Sequence, residues 1–70
     1  MKEDWVVSAP ELVEKNGYRY AHLEAKHLAK GTVRDWVSKP FHHDTLWTDM
    51  LFECQREMNM ARVKIESMEP

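Results

Sequence analysis

The sequence predicts a mainly α-helical domain. Two or three short N-terminal helices pack on one long C-terminal helix, which pairs with a second copy of itself. Three observations predict this. After Asp44 nothing breaks a helix, and Trp47, Leu51, Cys54, Met58, Ala61, Ile65 and Met68 follow one another at separations of 4 and 3 in strict alternation, the spacing of an a/d seam. Ser8-Ala9-Pro10-Glu11 fits a capping box, with Pro10 in the first turn where its missing N–H costs nothing. Finally, 70 residues amount to 8.3 kDa with a single cysteine. A lone core at this size seldom supplies more than about 3–5 kcal/mol. With an internal disulfide excluded, a metal or a second subunit has to supply the rest.

Taken in order, Trp5-Val6-Val7 is a short apolar run, read as a brief strand or as an extended entry into a helix. A helix is expected over 9–16, with Val7 and Leu12 as a hydrophobic staple and Asn16-Gly17 as its end. Tyr18-Arg19-Tyr20 alternates and fits a minor β-hairpin, 4–7 with 18–21. From Ala21 the spacing of Ala21, Ala25 and Leu28 reads as helical. Gly31 interrupts it. Thr32 then caps a further helix bearing Val33, Trp36 and Val37, which stops at Lys39-Pro40. Phe41-His42-His43 is a link, Asp44 is an N-cap, and the long helix covers 45–68. The organisation is one small domain over 1–70, with a helical part at 1–39 and a dimerisation helix at 45–68.

Length argues for the dimer. A helix over 45–68 extends about 36 Å, whereas a compact chain of this size is roughly 28 Å across. Met58, Ala61, Ile65 and Met68 would stay wet unless a second copy covered them.

Composition excludes several functions. Ten basic and twelve acidic residues give a net charge of −2, neither a nucleic-acid arm nor an acidic tail. No apolar run approaches the ~20 residues of a membrane span. The polar start Met1-Lys-Glu-Asp-Trp5 lacks the apolar core of a signal peptide. With one cysteine, the expectation is a cytoplasmic protein. The only glycines are Gly17 and Gly31, so no phosphate loop exists. Ser8 and Ser38 read as helix-terminal residues and Cys54 as a buried seam residue, so no nucleophile is set up. His22 and His27 are five apart and miss the helical ligand spacing. A His42, His43 and Cys54 site is conceivable only if the fold brings the three together. The chain is therefore expected to be no enzyme and to hold no metal or cofactor.

Binding remains. Tyr18, Tyr20, Trp36, Phe41, Phe52 and Met60 are more large apolar groups than so short a chain can bury, and aromatic anchors dominate protein interfaces. The expected function is regulation or inhibition by stoichiometric binding to a partner protein, as in mobile-element proteins that capture a host factor. The alternative is DNA binding. Residues 28–37 resemble a helix-turn-helix, with Thr32-Val33-Arg34 opening the second helix, although the turn is only Lys30-Gly31. Within 21–38, Lys26, Lys30 and Arg34 recur every four residues and would carry the phosphate contacts.

Overall fold

The computed structural model describes residues 4–69. Alternation, rather than helical periodicity, organises the first two thirds of the chain. Tyr18–His27 is a ten-residue strand, β3, in which Ala21, Leu23, Ala25 and His27 are buried on one face. The helical stripe of Ala21, Ala25 and Leu28 uses two of the same residues. It leaves Leu23 and His27 on its far side, whereas a strand places all four inward.

Among the described residues the fold is a five-stranded antiparallel sheet with one helix, and this overturns the all-α and coiled-coil expectation. The expected helix at 9–16 is strand β2, Glu11–Lys15. It is joined to β3 by Asn16 (φ 53°) and Gly17 (φ 81°). Two positive φ angles in a two-residue turn match the twist of the flanking strands, and Asn-Gly supplies them most readily. The same dipeptide therefore closes a hairpin and not a helix. Every residue of β2 is exposed, so no hydrophobic pattern separated strand from helix there. The expected helix from Thr32 is strand β4, Val33–Val37. His27 N–H donates to Thr32 O and Gly31 N–H to His27 O, each at 2.8 Å, closing the β3–β4 turn. The segment 21–38 is thus a β-hairpin, and no helix-turn-helix exists.

Strand β1, Trp5–Val7, pairs with Ala25–His27, not with residues 18–21, which pair with β2. The link at 41–43 contains strand β5, Phe41–His42, on the opposite edge of β3 beyond β4. Each outer edge is broken once, and in the same way. Between Val7↔Ala25 and Glu11↔His22, Ser8-Ala9-Pro10 faces only Leu23 and Glu24. Between Val37↔His22 and Phe41↔Arg19, Ser38-Lys39-Pro40 faces only Tyr20 and Ala21. One extra residue on the outer strand is a β-bulge, and a bulge tolerates the proline that a regular ladder excludes. Ser8 N–H donates to Glu24 O (2.8 Å), and Ser8 Oγ accepts from Glu24 N–H (3.0 Å). Ser38 N–H donates to Ala21 O (2.8 Å), and Ser38 Oγ accepts from Ala21 N–H (2.9 Å). In both bulges a hydroxyl replaces the carbonyl that a regular antiparallel pair would offer.

Helix α1, Trp47–Ser67, is the long helix expected at 45–68, but Leu46 and not Asp44 precedes it, and no side chain caps it. It lies on the Ala21/Leu23/Ala25 face and runs in the direction of β3. Met50 and Cys54 meet Ala21 and Phe41, and Ile65 meets Leu23, Ala25 and Trp5. The two alanines keep the centre of the sheet low, so the helix sits close, with Leu23 as the knob between them. Cys54 and Ile65 of the seam are covered by the chain's own sheet, with Trp47 and Met58 packed on the core beside them. The sphere assumed for a compact chain is the wrong shape: the molecule measures 39 × 21 × 14 Å. A ten-residue strand spans about 34 Å and a 21-residue helix about 32 Å, so β3 is as long as the helix it supports. Among the described residues no helix is long and apolar enough to cross a membrane.

Candidate functional site

One helix covers one face of the sheet and leaves two features open beside it. The first is the outer edge of β4. The bonds that join His27 to Thr32 and Ser38 to Ala21 fix the phase of the ladder. Alternate residues of an antiparallel strand bond inward and outward, so Arg34 and Trp36 bond to β3. Val33, Asp35 and Val37 direct their N–H and C=O groups away from the sheet. Among the described residues β4 pairs with β3 alone.

The second feature runs along that edge. A groove of about 520 Å3 separates β4 from the C-terminal half of α1. Arg34, Asp35 and Trp36 line it from β4, and Glu57, Met60, Ala61, Lys64, Ile65 and Met68 from the helix and its end. Trp36 packs on both halves of the core and is half-buried, so it is a fixed floor. Met60 stands 64% exposed on the far lip. Beyond it, Phe52 and Val63 continue an apolar strip along the helix, with Phe52 81% exposed. The groove is apolar at its base and carries charges of both signs at its rim.

The residues expected at a dimer seam are divided. Cys54 and Ile65 are buried against the sheet, Trp47 and Met58 pack on the core, and Leu51 is half-buried. Ala61 and Met68 line the groove. Of the expected partner-binding residues, Trp36 and Met60 belong to the groove, Phe52 to the strip beside it, and Phe41 to the core. Tyr18 and Tyr20 lie on the opposite, uncovered face of the sheet, where Val13, Tyr20, His22 and Val37 line a second depression. The basic residues are scattered. Lys26 is on the uncovered face, Lys30 is in the β3–β4 turn, and Arg34, opposite Ala25, is on the helix side. They form no stripe. Sequence reasoning missed Glu57 and Lys64, whose positions on the groove follow only once a strand is known to lie beside them.

The titratable groups divide into structural and exposed ones. His27 is buried, meets Trp5 edge-on at 5.0 Å, and its Nδ1 accepts from Lys30 N–H at 3.1 Å, so it braces the β3–β4 turn. His22 sits between Glu11 (3.5 Å) and Asp35 (3.3 Å), bridging β2 and β4 across β3. Cys54 donates its S–H to Met50 O at 2.9 Å. Burial, and after it the Glu57 carboxylate, pushes its thiol above the ordinary range, so it stays protonated and unreactive at neutral pH.

Comparison with protein families, with curated proteins and with solved structures finds no match to this chain.

Proposed function

We propose that the protein acts without catalysis, by stoichiometric binding of a partner protein that adds an extended segment to the β4 edge. What supports this reading is the pairing of a free strand edge with an apolar groove. A strand laid on Val33, Asp35 and Val37 takes backbone hydrogen bonds from them, and its alternate side chains point into the groove over Trp36 and Ala61. Backbone pairing supplies affinity there and the groove supplies choice. The segment it fits has apolar residues at every second position. Its polar residues meet charges of both signs, Arg34 and Lys64 beside Asp35 and Glu57. Regulation or inhibition of the partner follows from occupying a segment of it.

The test is selection of binding heptapeptides from a random library on the intact chain, followed by two variants. Asp35→Pro removes an outward N–H and leaves the β3 ladder intact, and Ala61→Glu puts a charge on the groove wall. Each should weaken the selected peptides by at least about tenfold, the equivalent of ~1.4 kcal/mol, with the circular dichroism of the parent retained. Val13→Glu, on the uncovered face, should change nothing. Peptides that lose affinity only with Val13→Glu would move the site to that face and end this reading.

A further inference from the structure

The turn between β5 and α1 brings together three side chains that successive residues of a strand would send to opposite faces. Thr45 N–H donates to His42 O at 2.9 Å and folds the chain back on itself. As a result the His42 and His43 rings stand 4.3 Å apart, and both present Nδ1 to one carboxylate. His42 Nδ1 is 3.6 Å from Asp44 Oδ2, and His43 Nδ1 is 3.1 Å from Asp44 Oδ1. One ligand atom from each of the three residues lies within 4.8 Å of the others.

We propose that the His42-His43-Asp44 turn binds a divalent transition-metal ion of the zinc type. Nitrogen and oxygen ligands at 2.0–2.1 Å from a tetrahedral zinc ion stand about 3.3 Å from one another. The two nitrogen–oxygen separations bracket that value but run to different oxygens of Asp44, and the three donors spread over up to 4.8 Å, so these exposed side chains draw together by a small rotation as the ion arrives. Two imidazoles and a carboxylate are also a donor set that suits zinc, with open positions left for water. His42 Nδ1 accepts from Asp44 N–H at 3.2 Å, so its lone pair is present in the tautomer a ligand needs, whereas His43 Nδ1 donates to Asp44 Oδ1 at 3.1 Å and gives up that proton when the ion binds. The ion displaces the bond to His42, and the exposed Asp44 N–H turns to water. His22 shows the contrast. Its two carboxylates approach opposite nitrogens, Glu11 at Nδ1 and Asp35 at Nε2, so no single ion reaches all three. Cys54, the sulfur ligand considered from sequence, is buried with its S–H on Met50 O and stands outside the cluster.

The experiment is a titration of the full chain with zinc chloride, read by the imidazole nitrogen resonances. His42 and His43 should shift together and saturate at one ion per chain, while His22 and His27 stay in place. His43→Ala and Asp44→Asn should each weaken binding by at least about tenfold, since loss of an outer-shell partner alone costs that much. Both residues are exposed, so helix and sheet content should survive, and circular dichroism checks it. Cys54→Ser should bind as the parent does. Shifts that never saturate, equal shifts at His22, unchanged affinity in His43→Ala, or affinity lost in Cys54→Ser would each overturn the proposal.

Discussion

Ser8 and Ser38 perform one task in two environments. Each hydroxyl accepts the β3 N–H that its bulge would strand. Ser38 is buried, and its Oγ also donates to Lys39 O at 2.8 Å, whereas Ser8 is exposed. Removing the hydroxyl at 38 leaves the Ala21 N–H unsatisfied away from water, which costs about 1–3 kcal/mol. At position 8 water takes the place of the lost oxygen. Urea unfolding should therefore show Ser38→Ala destabilised by that amount, and Ser8→Ala within about 0.5 kcal/mol of the parent. Equal losses at both positions would mean that the hydroxyls act through something other than burial. The shared Ser-x-Pro pattern was present in the sequence, but both copies also fit helix-terminal roles, as a cap at 8 and a stop at 38–40. Only pairing across β3 distinguishes a bulge from a helix end.

Among the elements, the hairpin turn at Asn16-Gly17 fixes the register of the sheet. Because side chains alternate along a strand, a slip of one residue between β2 and β3 would turn the whole of β2 over. Gly17 has φ 81° with open space around its Cα, so a side chain there meets no clash. The penalty is conformational, about 1–2 kcal/mol for a left-handed residue with a Cβ. Gly17→Val should lower the stability by at least this amount in thermal unfolding, while Asn16→Gly, which keeps a positive φ accessible, should change it little. The helix itself was legible. Its extent came within two residues at each end, because a 21-residue stretch accumulates enough turns for the period to show; Cys54 and Ile65, expected against a second copy, lie against the sheet of the same chain. The strands were read only at Trp5–Val7 and 18–21, and there with the wrong partner, for the opposite reason. All but β3 are five residues or fewer, β2 buries nothing, and β3 carries alanines that fit a helix as readily as a strand. The groove shares that limit. Trp36, Met60, Ala61 and Met68 were singled out, but for separate roles, since only the strand at 33–37 puts them on one surface.

For the whole molecule, shape decides what the seam needs. A sphere of this mass cannot shelter a rod of about 32 Å, but a slab 39 Å long can. The core is one layer deep. Leu23 and Met50 are its largest fully buried side chains, and both lie between helix and sheet, not between two copies. A second molecule reaches Cys54 or Ile65 only if α1 lifts off β3, which exposes Leu23 at the same time. Truncating a buried leucine alone costs about 2–5 kcal/mol, so lifting the whole helix costs more than a small domain has to spare. The chain should therefore sediment with the 8.3 kDa mass of one copy at micromolar concentration, and its thermal midpoint should not vary with concentration. If a dimer forms, the free β4 edge is the surface we expect to make it. Asp35→Pro would then return the mass to that of one copy, while Leu51→Glu, on the flank of the old seam, would leave it unchanged. A dimer dispersed by Leu51→Glu and untouched by Asp35→Pro would show that the helix, not the strand edge, joins the copies.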